Sequence, residues 1–290
     1  MYSPKEIARN YVATGSSKAR QRAGRLFPLA ILAGMFIALA SVGATTASVS
    51  ISSPSLAKLV SALMFPTGLA MTLIAGSELF TGNCLIIIPV LTRDIRVGAM
   101  LRNWIIVYIG NFVGGLLVAA IVVYGHTFSL FDNQLAAAAI HTAIGKVELG
   151  FGDALLRGVL CNFLVCVAVW MAYAAKDVTG KIAGLFLPVM VFVLCGYEHS
   201  VANMYYISAG IMASADPRYA ASVAVGENLS ALTWGALVVK NLIPVTIGNI
   251  IGGAGLIGVP YWYVYLRGED ADGAAAGHTQ AKPKNRKRRP

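Results

Sequence analysis

The sequence predicts an all-α integral membrane protein with six transmembrane helices. They form an inverted 3+3 repeat, with spans two and five broken at mid-membrane. Three observations carry this reading. Residues 26–57, 103–131 and 241–266 contain no Asp, Glu, Lys or Arg, and each stretch exceeds the about 20 residues a helix needs to cross a bilayer. The pattern G-x-E-x-x-x-x-N occurs twice inside apolar segments, from Gly76 to Asn83 and from Gly196 to Asn203, at an offset of 120 residues. The segments Asn103–Gly115 and Asn241–Gly253 are identical at eight of thirteen positions, including Asn, Gly-Asn and Gly-Gly.

The composition agrees. Hydrophobic residues make up 57% of the chain, charged residues 12%, and the mean hydropathy is +0.68. A soluble domain carries about 25% charged residues. The predicted spans cover roughly 28–49, 59–91, 103–124, 154–175, 182–213 and 240–266.

Residues 1–25 precede the first span and are basic. They are read as an amphipathic segment on the cytoplasmic surface, with Ile7, Tyr11 and Leu26 on the apolar side. The first apolar run is too long for the core of a cleaved leader, and five spans follow it. Spans two and five each carry a glutamate, Glu78 and Glu198, flanked by glycines that weaken a helix. Paired interruptions of this kind point to a transport site at the midplane of an inverted repeat. Each repeat has three crossings, so the second copy enters the membrane from the opposite side. Gly34 and Gly158 align weakly in spans one and four. Residues 219–239 are divided by Glu227 and Asn228 into pieces too short to cross. The transmembrane domain is therefore 26–268, followed by a basic, disordered cytoplasmic tail, 269–290.

Positive charge sets the orientation. Of 23 lysines and arginines, only Lys58, Lys146, Arg157, Arg218 and Lys240 fall on the side away from the termini. The positive-inside rule puts both termini in the cytoplasm of a multi-pass inner (plasma) membrane protein. The net charge of +10 is thus topology plus tail. The tail is expected near anionic lipid headgroups and not on nucleic acid. Cys84, Cys161, Cys166 and Cys195 all lie in predicted spans without a C-x-x-C pair. They are expected to pack as reduced small hydrophobes, with no metal and no cofactor.

The strings Leu79-Phe80-Thr81-Gly82-Asn83, Cys161–Cys166, Gly196–Asn203 and Asn241–Gly253 resemble the formate/nitrite transporter family, most of all its formate channels. The likeness covers about residues 26–268. It implies an aquaporin-like fold, one pore per protomer and a homopentamer. It also implies transport of small monovalent anions or their acids: formate, or else nitrite, hydrosulfide, acetate or lactate. The loop Gly145–Gly150 lacks the two histidines that often follow the lysine in that family.

His199 is the only histidine inside a span. An ionisable group there is a functional candidate by default, and its ring is expected to share a proton with a permeating anion. Thr81, taken as the matching position in the other break, would orient that ring or cap the half-helix after it. Glu78 and Glu198 are read as structural, satisfying the free amides of the broken helices, in preference to a proton relay. Asn83 and Asn203 are read as caps. The half-helix N-termini would favour an anion. By resemblance, Phe65 and Leu69 form a cytoplasmic-side constriction, while Leu79, Phe80 and Phe192 narrow the path elsewhere. By the same resemblance, Lys146 draws anions into the vestibule, and Asn162 bonds within the pore wall. A neutral-solute channel of aquaporin type would carry Asn-Pro-Ala at both breaks, where this chain has Asn83-Cys84-Leu85 and Asn203-Met204-Tyr205. An intramembrane enzyme would need a second catalytic group beside His199, and the sequence offers none.

Overall fold

The computed structural model describes residues 1–268, whose regular elements are all helical. The segment 269–290, read from the sequence as a tail, lies outside the described residues. Ten helices carry the architecture: α1 Pro4–Arg20, α2 Ala23–Ser48, α3 Pro54–Ile74, α4 Phe80–Leu91, α5 Val97–Tyr124, α6 Gln134–Val147, α7 Phe151–Ala174, α8 Val178–Leu194, α9 Ser200–Ser214 and α10 Trp234–Tyr265.

Helices α2, α3, α5, α7 and α10 are each long and apolar enough to cross a bilayer. The remaining crossing is divided between α8 and α9, of 17 and 15 residues. The last span starts at Trp234, six residues before the predicted boundary. Pro244 and Pro260 cannot donate to the turn before them, and a π-helical segment precedes each, Leu237–Leu242 and Ile251–Gly258.

The repeat is visible atom by atom. α2 packs chiefly on α5, and α7 packs in the same manner on α10. A Cβ on Gly114 would stand 2.1 Å from the Ile31 carbonyl oxygen, and one on Gly252 would stand 2.0 Å from that of Val159. Both glycines therefore allow backbone contact that any side chain would block. Ile31 and Val159 are 128 residues apart, so this is the register of the first spans of the two repeats. Gly34 and Gly158, aligned from sequence, are not counterparts. At 128 residues Gly34 corresponds to Asn162, and Gly158 to Ala30.

The amino-terminal segment also departs from expectation. The helix stops at Arg20, Gln21 and Arg22 are extended, and Leu26 belongs to α2. Ser3 caps α1 in a reciprocal box with Glu6. Ile7 and Tyr11 are buried against the protein itself, Tyr11 edge-on to Tyr173 at 5.5 Å. α1 is a docked part of the fold that touches α4, α5, α7 and α10. Of the four cysteines, Cys84, Cys161 and Cys166 are buried and Cys195 is exposed.

Candidate functional site

Both broken spans stop in the same way. Gly76 and Gly196 take φ of +80° and +70°, the left-handed region where glycine carries no Cβ penalty. The Ser77 amide then donates to Thr72 O, and the Tyr197 amide to Phe192 O, each at 3.0 Å. These are the 6→1 bonds of a glycine-terminated helix. After three more residues the chain turns helical again from extended Leu79 and His199.

The polar groups freed by each break are met by asparagines from spans three and six. Asn111 Oδ1 accepts from the Phe80 amide at 2.9 Å, while its Nδ2 donates to Ala30 O (2.7 Å) and Glu78 O (2.9 Å). Asn249 repeats the pattern: Oδ1 accepts from the Ser200 amide (2.9 Å), and Nδ2 donates to Gly158 O (2.8 Å) and Glu198 O (3.0 Å). Both asparagines are fully buried. Asn83 and Asn203, expected as caps, do something else. Each donates one Nδ2 to the neighbouring carboxylate, Glu78 (2.7 Å) or Glu198 (2.6 Å), and to Asn103 or Asn241 Oδ1. The glutamate carboxylates in turn do not serve backbone amides. They bind lysines: Lys18 Nζ at 2.9 Å from Glu78, and Lys146 Nζ at 2.9 and 3.0 Å from the two oxygens of Glu198. Each lysine's own carbonyl accepts from the same asparagine pair, Asn103 or Asn241.

Lys146 is therefore not a lone vestibule charge. It is ion-paired, with its ammonium 5.5 Å from the Tyr206 ring centre. Lys18 is its counterpart, and sequence reading counted it only towards topology. The 128-residue spacing from Lys18 to Lys146 is a signal that would have found it. Asn111 and Asn249 were likewise visible only as repeat markers.

His199 and Thr81 meet between the breaks. Nε2 lies 3.0 Å from the Thr81 hydroxyl, and Nδ1 accepts from the Ala202 amide at 3.1 Å. With Nδ1 accepting, a neutral ring carries its proton on Nε2, facing Thr81. By the repeat register, however, His199 corresponds to Leu79 and Thr81 to Val201, so the pair is not a matched pair. Asn162 closes the wall behind Thr81. Its Nδ2 donates to Thr81 O (3.2 Å) and Asn249 O (2.7 Å).

Two apolar groupings adjoin this centre. Phe65 and Phe192 pack edge to face at 5.5 Å, and Phe192 stacks on the His199 ring at 5.9 Å. They line a cavity of about 680 Å³ together with His199, Lys58, Lys146, Arg157 and Glu198. Leu69 and Leu79 border a pocket of only about 20 Å³ on the other side, with Lys18 and Asn83. Phe65 and Leu69, one helical turn apart on α3, thus line different cavities. Only Leu69 faces the α1 side. Phe80 turns away from the path. It packs on Trp104 and Tyr108 at 6.0 and 5.0 Å and lines neither cavity.

A multi-pass helical bundle with two half-helix breaks and a buried histidine between them is the architecture of a membrane transport protein. The family model for "Formate/nitrite transporter" matches residues 5–263, and the chain belongs to that family. It is 38% identical to the formate channel FocA of Escherichia coli K12 over 272 residues, covering 92% of this chain and 95% of that one. Identity to the formate channel FocA of Haemophilus influenzae is 42% over 251 residues, covering 85% and 88%. The solved structure of a pentameric formate channel with formate bound superposes with a TM-score of 0.75 at 35% identity, over 84% of this chain and 98% of that chain.

Proposed function

We propose that the chain carries small monovalent anions, formate foremost, across the plasma membrane and exchanges a proton with them at His199. It works as a homopentamer with one path per protomer and both termini in the cytoplasm. The path runs from the α1-side mouth past Lys18, through Leu69 and Leu79, to Thr81 and His199. It leaves between Phe65 and Phe192 into the vestibule of Lys146.

The observation that carries this reading is the His199–Thr81 hydrogen bond, set between two apolar groupings. An anion stripped of water at either one is costly. The carboxylic acid form, with a pKa near ~4, is only about one molecule in a thousand at pH 7. The Nε2 proton of His199, hydrogen-bonded to Thr81, offers a donor at the point of greatest dehydration. The amide ends of α4 and α9 favour negative charge there. The permeant leaves as a neutral acid when a proton entering from a mouth first charges the ring: the imidazolium gives one proton to the carboxylate and returns to its neutral form. Lys18 and Lys146 at the two mouths are each paired with a glutamate, and among the described residues the unpaired cations beside Lys146 that can raise local anion concentration are Lys58 and Arg157.

The test measures substrate flux and internal pH together in proteoliposomes. His199→Asn removes the titratable ring. The variant is expected to fold and pass anion current while losing proton-coupled uptake. Equal proton coupling in both proteins would reduce His199 to a passive donor. The wild type assayed in parallel with formate, nitrite, hydrosulfide, acetate and lactate fixes the substrate.

A further inference from the structure

The α1-side mouth is a cavity of about 1350 Å³ whose lining includes Lys18, Arg20, Arg22 and Arg25 against two acids, Glu78 and Asp94. The acids do not neutralise the arginines. Glu78 is engaged by Lys18. Arg20 donates to the Asp94 carbonyl at 2.7 Å, while the Asp94 carboxylate accepts from Thr92. Arg22 and Arg25 are exposed, and among the described residues their guanidinium groups make no hydrogen bond or ion pair.

This cationic cluster stands at the start of α2, a helix of 26 residues whose N-cap, Arg22, supplies no side-chain cap. Among the described residues the amides of Ala23 and Gly24 have no acceptor, and nothing lies within 4 Å of where a Gly24 Cβ would be. Ser16 belongs to the wall of this cavity at 8% exposure, with its hydroxyl oxygen turned out of solvent contact.

From this convergence we infer that the elbow between α1 and α2 is a binding site for a phosphate group, distinct from the path's own monovalent anion. Guanidinium forks match phosphate oxygens in pairs. The open amide end of a long helix adds donors and a positive dipole end. Clustered, unpaired arginines repel one another, and a multivalent anion removes that repulsion where a single monovalent one removes less of it. The phosphate belongs either to a soluble phosphorylated compound or to an anionic lipid headgroup at the membrane level where α2 begins. The site does not depend on which ion crosses the protein.

The test uses the full chain. Pyrophosphate binding is measured by calorimetry in detergent at fixed ionic strength. Retention of phosphatidylglycerol over phosphatidylcholine is measured by native mass spectrometry after nanodisc reconstitution. Saturable binding of either probe is expected. It should weaken at least 10-fold in Arg22→Gln/Arg25→Gln and stay unchanged in Lys240→Gln. Pyrophosphate binding alone assigns a soluble ligand, and phosphatidylglycerol retention alone a lipid. Both arginines are exposed, so the double variant should keep its elution volume and far-UV spectrum. Absence of saturable binding by both probes, or equal binding in the wild type and the double variant, overturns the site.

Discussion

His199 Nε2 lies 3.0 Å from Thr81 Oγ1, yet the two residues are not repeat counterparts. The repeat pairs His199 with Leu79, and Thr81 with Val201. The polar centre is thus made of one residue from each break, drawn from different repeat positions. Apolar Leu79 and Val201 occupy the remaining places. An inverted pair of identical breaks would offer two equal sites. Here the asymmetry leaves a single titratable group.

Thr81→Val removes the hydroxyl while nearly keeping the volume. It leaves the buried Nε2 without a partner, at a cost of about 1–3 kcal/mol. Uptake is expected to fall about tenfold, the equivalent of ~1.4 kcal/mol in a barrier, while Thr81→Ser retains most of it. Paired uptake and thermal-unfolding measurements check this. Wild-type uptake by Thr81→Val would remove Thr81 from the mechanism.

Lys146→Glu, attractive when the lysine is read as a lone vestibule charge, would set a carboxylate against Glu198 and is expected to destabilise the protein. Lys146→Gln keeps a donor towards Glu198 but leaves that buried carboxylate without its counter-charge, so it should cost stability as well as uptake. Its uptake should drop several-fold at low salt, as the unpaired Glu198 repels the anion, and recover in part at high salt. Lys58 and Arg157 in the same cavity bound the loss. An uptake ratio that does not move with ionic strength would contradict steering.

Phe65→Ala/Phe192→Ala opens the constriction towards the Lys146 vestibule. Hydrated ions should then pass and single-channel conductance should rise in planar bilayers. Leu79→Ala acts on the other side and should not reproduce the change by itself. A double variant that still excludes hydrated ions would locate the barrier at Leu69 and Leu79.

Asn111→Ala and Asn249→Ala each delete three hydrogen bonds at one break. At about 1 kcal/mol per bond, each should cost roughly 3 kcal/mol. The two melting temperatures should fall by similar amounts, because the two networks are copies. A large loss for one and none for the other would mean that the breaks are not stabilised alike.

Much of the architecture was legible in the chain. The spans follow from runs without charge. The two breaks follow from Gly76 and Gly196 beside a glutamate that no unbroken span would hold. The thirteen-residue likeness between Asn103–Gly115 and Asn241–Gly253 gave the repeat, and His199 stood out as the one histidine in a span. The partners of these groups were less legible. Glu78 and Glu198 read as caps because a broken helix needs acceptors for its amides, but Asn111 and Asn249 fill that need. The carboxylates are free to hold Lys18 and Lys146, which lie 60 and 52 residues upstream. Phe80 read as a pore residue by family resemblance. Its helical position turns the ring towards Trp104.

Local chemistry therefore decided where the chain crosses, where it breaks and that it does so twice. Hydropathy, glycine freedom and the cost of a buried charge act over a few residues, so a sequence carries them directly. Which residues meet at the centre was decided only by the packing of the two repeats. Gly114 and Gly252 bring the helices of each repeat into backbone contact, and the inverted halves then face each other with Thr81 against His199. That contact spans 118 residues of chain. It depends on the relative placement of two rigid units, which no periodicity in either one records.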